Sequence, residues 1–168
     1  MRIAIISPVW FPVPPTGYGG IEWVVSLLAD GLAEAGHDVT LFASGDSSSE
    51  AKLAAVYPEA PSSDIGKTTP ELRHALACYE RAGEFEIVND HSGPLAAALG
   101  GAVETPVVHT VHGPLVGADG ELYAMIARVA PAVGLISVSL SQRMPQPGLP
   151  WVANCHNALD LDAYPVHT

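Results

Sequence analysis

Positive charge is what this chain has least of. Seven Lys and Arg stand against eighteen Asp and Glu, a net charge of −11 over 168 residues. That balance argues against nucleic acid and anionic membrane surfaces as partners, because both are bound through cations. Cysteine is scarce too. Cys78 and Cys155 are too few for a disulfide framework and read as buried free thiols. No apolar run reaches membrane-spanning length, and no charged segment with an apolar core opens the chain, so the expected location is cytoplasmic. Repeats and low-complexity tracts are missing as well.

Absent motifs exclude chemistry just as directly. His91, His109, His112, Cys155 and His156 all fall near expected strand ends, but neither Cys-x-x-Cys nor His-x-x-x-His spacing occurs, so no metal site is expected. A serine hydrolase would need a Gly-x-Ser-x-Gly elbow, and there is none. A P-loop needs Gly-x-x-x-x-Gly-Lys-Ser/Thr, whereas the segment Thr16-Gly17-Tyr18-Gly19-Gly20-Ile21-Glu22 has no lysine. The dinucleotide fingerprint starts with Gly17 and Gly19, but Glu22 occupies its third glycine position. The stretch from Ser7 to Gly17, with Pro8, Pro12, Pro14 and Pro15, is also longer than that fingerprint's tight turn.

What remains is globular: 48% hydrophobic and 15% charged residues, enough for one well-buried domain. Apolar runs predict strands near 2–7, 38–43, 85–89, 106–110, 133–138 and 151–155, several of the continuous kind typical of buried parallel strands. Residues 52–57 could add another strand within the irregular segment 44–67. Helical spacing predicts helices near 20–35, 69–82, 93–99, 120–130 and 139–143. Thr68, Thr69, Pro70 and Glu71 mark one helix start, with proline at the first position. The alternation implies an α/β fold: a doubly wound, Rossmann-like parallel sheet with helices on both faces.

In such a sheet, ligands bind at the carboxyl ends of the strands. Gly17, Gly19 and Gly20 fall after the first strand, where a glycine loop lets backbone amides approach a ligand and the helix start favours an anion. The loop suggests a phosphate-bearing ligand, or glycines that serve only the turn. Glu22 sits in the helix's first turn, where a carboxylate suits the dipole with or without substrate. Asp90 and His91 fit positioning of an acceptor hydroxyl or general base work, and Asp90 or Ser92 fits equally as an N-cap. His112 is expected at the rim of a cleft, as a functional or a turn histidine, and Ser139 follows the next strand. His109, three residues before His112, should face the opposite way as a satisfied core histidine.

These pieces carry a resemblance. Gly19-Gly20-Ile21-Glu22, Gly36-His37-Asp38-Val39, Asn89-Asp90-His91-Ser92, His109-Thr110-Val111-His112-Gly113, Ser137-Val138-Ser139 and Asn157-Ala158-Leu159-Asp160 occur in an order that resembles the N-terminal half of the GT-B glycosyltransferases, specifically the retaining family 4 enzymes. Ala158 departs from the family's Asn-Gly-x-Asp. The resemblance covers nearly the whole chain. It implies an acceptor-side domain over 1–160, with 161–168 as the start of an interdomain linker or a tail and a C-terminal donor-binding domain absent. The implied activity is transfer of a sugar from a UDP- or GDP-sugar to an acceptor hydroxyl with retention, without other cofactor. His112, His91 and Asp90 are then the catalytic candidates, with His112 beside the sugar's reacting face. Gly17, Gly19, Gly20, Glu22 and Ser139 are the candidates for donor or substrate binding. The family's diphosphate cations come mainly from the second domain, so the isolated chain is expected to be inactive until a donor domain is supplied in cis or in trans. The alternatives are a non-catalytic, self-associating module of the same fold and, further off, a dinucleotide-binding domain.

Overall fold

The computed structural model describes residues 1–160. The expected linker at 161–168 lies outside the described residues. Seven parallel strands form one sheet: β1 (Arg2–Ile6), β2 (Asp38–Phe42), β3 (Lys52–Ala54), β4 (Ile87–Asp90), β5 (Val107–Val111), β6 (Gly134–Ser137) and β7 (Trp151–Asn154). Their spatial order is β3-β2-β1-β4-β5-β6-β7. The order reverses at β1, which pairs with both β2 and β4. A crevice opens at the carboxyl ends of the strands at such a reversal.

Among the described residues, four α-helices cover the sheet unequally: α1 (Gly20–Glu34), α2 (Thr68–Tyr79), α3 (Pro94–Leu99) and α4 (Gly117–Val129). Side chains alternate across each strand, which divides the core in two. Ile3, Ile5, Val39 and Leu41 pack with Val25 and Ala29 of α1 on one face. Ala4, Ile6, Val88, Val107 and Val111 pack on the other face with residues of α2, α3 and α4, among them Ala75, Ala97 and Ile126. One helix thus serves one face and three serve the other.

The expected α/β sheet is present, with local differences. The segment 139–143 is no α-helix but a 3-10 turn over Ser141–Arg143. Pro145 and Pro147 follow it, and proline has no backbone N–H with which to continue a helical ladder. β4 begins at Ile87 because Phe85 is tied back to Ala82 at the end of a 3-10 turn. The extra strand at 52–57 exists but stops at Ala54. Pro70 is the third residue of α2, not its first, and Lys67 stands at the cap without a side-chain capping bond. The first-turn amides have no helical partner in any case, so proline is tolerated there. Cys78 is buried as expected, but Cys155 is exposed, because it follows the edge strand β7. Among the described residues, no helix is long and apolar enough to cross a membrane.

Candidate functional site

The parallel register of β4 and β5 sets Asp90 beside His109. Asp90 is fully enclosed, with Oδ2 2.6 Å from His109 Nδ1. Its Oδ1 accepts hydrogen bonds from the Ser92 amide at 2.8 Å and the Ser92 hydroxyl at 2.6 Å. Burial alone would raise the Asp90 carboxyl. The adjoining His109 and the bonds from His109 and Ser92 outweigh it and hold the group below its ordinary value. Asp90 is therefore ionised and His109 donates through Nδ1. The other ring nitrogen, Nε2, lies 2.8 Å from the Tyr123 hydroxyl of α4. This Asp90–His109–Tyr123 chain binds β4, β5 and α4 together beneath the cleft floor.

The next residue after Asp90 makes a different contact. His91 Nδ1 lies 2.9 Å from His112 Nε2, with ring centroids 5.2 Å apart. Burial, reinforced by the charge of neighbouring histidines, pushes His91 down to about 3 and His112 down to about 4. Both rings are neutral near pH 7, so one donates N–H to the lone pair of the other. His91 is only 4% exposed, whereas His112 is half-buried. Gln142 steadies the loop that carries His112. Its amide nitrogen donates to the carbonyls of Val111 at 2.8 Å and Gly113 at 2.9 Å, while its amide oxygen accepts from the Val138 amide.

A cleft of about 220 Å³ opens above these groups, lined by Ile21, His91, Ser92, His112, Asp119 and Tyr123 among others. Ile21 belongs to the first turn of α1, so the helix that follows the glycine loop forms part of the wall. Gly19 caps that helix with φ of 152°, and a Cβ there would lie 2.7 Å from Pro15 Cβ and 3.0 Å from Glu22 Oε2. Only glycine fits. No side chain caps α1 at Gly19, and of its first amides that of Glu22 meets its own carboxyl. Gly17 and Gly20 are exposed, with open space where a Cβ would stand. Glu22 is buried against Gly19, and its burial pushes the carboxyl up, opposed by a hydrogen bond with its own backbone.

Of the residues expected at the site, the cleft lining brings together His91 and His112. Gly17, Gly19, Gly20 and Glu22 lie at the neighbouring helix start, and Asp90 lies behind the wall. Ser139 is outside the lining, its hydroxyl accepting from the Gln142 amide at 3.2 Å and pairing with Ser141 at 3.0 Å. Neither Asp90 nor Ser92 caps α3, whose cap is Gly93 with no side-chain bond. His109 is the satisfied core histidine expected, yet it does not face away from His112. Both line the same cleft, because β5 ends at Val111 and strand alternation does not extend past it.

Tyr123, Gln142, Asp119 and Glu71 were not foreseen. Asp119 and Tyr123 stand four apart on α4, a helical spacing that could have flagged them. Glu71 approaches Gly93, where a Cβ would lie 2.9 Å from its Oε1. Its carboxyl is pushed up by burial and by the charge of Asp90. Among the described residues, no group of three His, Cys, Asp or Glu is arranged to hold a metal ion.

Comparison with known proteins bears on this geometry. Residues 18–141 match Glycosyltransferase Family 4. The chain is similar to the crystal structure of AviGT4, a glycosyltransferase involved in avilamycin A biosynthesis. Identity is 25% and the TM-score 0.57, over 97% of this chain and 44% of that one. It is also similar, at 14% identity and a TM-score of 0.45, to MurG of Acinetobacter baumannii, over 95% of this chain and 46% of that one. That second likeness is too loose to bear on the site. The chain thus spans less than half the length of both. No curated protein matches it in sequence.

Proposed function

The chain belongs to glycosyltransferase family 4, and we propose that it forms the acceptor-side half of an enzyme moving a sugar from a UDP- or GDP-sugar to an acceptor hydroxyl with retention. The observation that carries this reading is the His91–His112 pair, held at the strand ends beside the start of α1. In this reading the donor's phosphates lie over the glycine loop, where Gly19, Gly20 and the first amides of α1 face the departing negative charge. His112 faces the sugar. A ring held neutral does not repel the positive charge that develops there, and its bond to His91 fixes its orientation. Asp90 and His109 act from behind, as positioning residues for β4 and β5. The leaving phosphate itself assists the acceptor on the same face.

The cations for a diphosphate are not in this wall. Residues 3–51 contain no Lys or Arg, and the cleft lining carries Asp119 instead. Most of the phosphate charge falls to a second, donor-binding half, and the present chain alone is a weak binder and no catalyst. Calorimetry with UDP, GDP and NAD tests this. Dissociation constants of order millimolar are expected for UDP or GDP. Micromolar binding of NAD overturns the reading in favour of a dinucleotide-binding domain.

A further inference from the structure

Helix α4 turns an apolar stripe to solvent. Leu122, Met125 and Val129 are 41%, 55% and 74% exposed, and Ala118 is exposed one turn before them. Their spacing of three or four residues makes them neighbours along one line of the helix. A continuous exposed apolar patch of this kind marks a contact surface. Tyr123 and Ile126 are buried on the opposite side. Glu121 and Arg128, both exposed, flank the stripe along the same edge. They stand about 10 Å apart along the axis, beyond the three- or four-residue reach at which helical side chains pair. The stripe also leads away from the cleft. Asp119 and Tyr123 line the cleft near the start of α4, and Val129 ends the helix about 15 Å beyond Asp119.

We propose that this stripe is an interface between two copies of the chain, their α4 helices packed antiparallel about a two-fold axis beside Met125. A two-fold axis across antiparallel helices sets the same edge of each helix side by side. With the axis level with the midpoint of Glu121 and Arg128, each Glu121 stands opposite Arg128 of the other copy. The same axis brings Met125 against Met125 and sets Leu122 between Met125 and Val129 of the other copy. Parallel helices would bring opposite edges together and pair neither charge. The apolar side chains leave water, and the two ion pairs fix the register. A lipid surface suits the stripe less, because α4 offers one cation, Arg128, and the chain carries a net charge of −11. That charge opposes association at long range, but salt at about 0.15 M screens it beyond about 8 Å. Both clefts stay open in such a pair, whatever reaction they host.

Sedimentation equilibrium of this chain at about 0.15 M salt, from about 1 μM to about 1 mM protein, supplies the test. The face of one helix is smaller than the about 800 Å² per partner of a standard interface, so a dissociation constant of about 10 μM is expected. The mass should rise across that range from 17.5 kDa to twice that value. M125E puts two carboxylates together at the axis and raises the dissociation constant by at least about thirtyfold. E121R or R128E alone sets like charges opposite each other and raises it about tenfold. The double reversal E121R/R128E restores both pairs and brings it back to within about twofold of the starting value. All three altered side chains are exposed, and circular dichroism confirms the folding of each variant. A monomer throughout the range, a dimer indifferent to M125E, or single and double reversals alike in effect overturns the proposal.

Discussion

His91 Nδ1 and His112 Nε2 lie 2.9 Å apart, so two neutral imidazoles from the ends of β4 and β5 share one proton. The pair is the point where fold, electrostatics and chemistry meet. Burial keeps both rings uncharged. One added proton can leave an N–H donor facing a lone pair; protonating both rings places N–H against N–H and breaks the bond.

Stability should therefore depend on pH in a defined window. Both histidines are depressed in the folded protein, to about 3 and about 4 from an ordinary value of 6.5. As pH falls through the ordinary value, the unfolded chain takes up protons that the folded chain refuses. The stabilisation is present above about pH 6.5 and lost progressively toward about pH 4, with a slope approaching two protons. Urea denaturation across that range measures the slope. The double variant H91F/H112N should reduce it, leaving the part due to His74, which burial also depresses, and an unchanged slope would show that the His91–His112 rings are not the source.

The two histidines of β5 and its end should separate function from folding. With a donor-binding half supplied, H112A is expected to lower turnover by about ten- to a hundredfold with little loss of stability. H109A leaves the buried Asp90 carboxylate without the N–H that His109 donates to it and should destabilise by about 3–5 kcal/mol. Melting temperature and kcat, measured on both variants, decide. If H112A collapses the fold and keeps activity, the two roles are exchanged.

Gln142 is expected to act on turnover through His112. Its side chain makes three hydrogen bonds, to the carbonyls on either side of His112 and to the Val138 amide. Q142A frees that loop, so kcat should fall several-fold while KM for the nucleotide sugar stays nearly constant. Steady-state kinetics in the completed enzyme read the split. A rise in KM alone would place Gln142 in donor binding.

Much of this architecture was legible because buried parallel strands are written as continuous apolar runs, such as Ile3–Ile6, and because Gly19 and Gly20 announce the start of α1. The carboxyl-end placement of Asp90, His91 and His112 followed from that alternation. What lay beyond the sequence was pairing. Asp90 and His91 are neighbours, yet one bonds His109 and the other His112, a division set by the β4–β5 register. Tyr123, Glu71 and Gln142 stand on separate elements, and no local spacing ties any of them to Asp90, His91 or His112. The relation of His109 to His112 was misjudged because spacing could not show where β5 stops.

In the proposed function, this chain forms one wall of a sugar-transfer cleft. The direct measurement is release of free UDP or GDP from UDP- or GDP-sugars, with an acceptor alcohol present. Residues 1–168 are assayed alone and then joined to the donor-binding half of a family 4 enzyme. The reacting groups must be held in a closed cleft, so no turnover is predicted from the chain alone and measurable turnover from the joined protein, abolished by H112A. Robust turnover by residues 1–168 alone, or turnover of the joined protein indifferent to H112A, would contradict it.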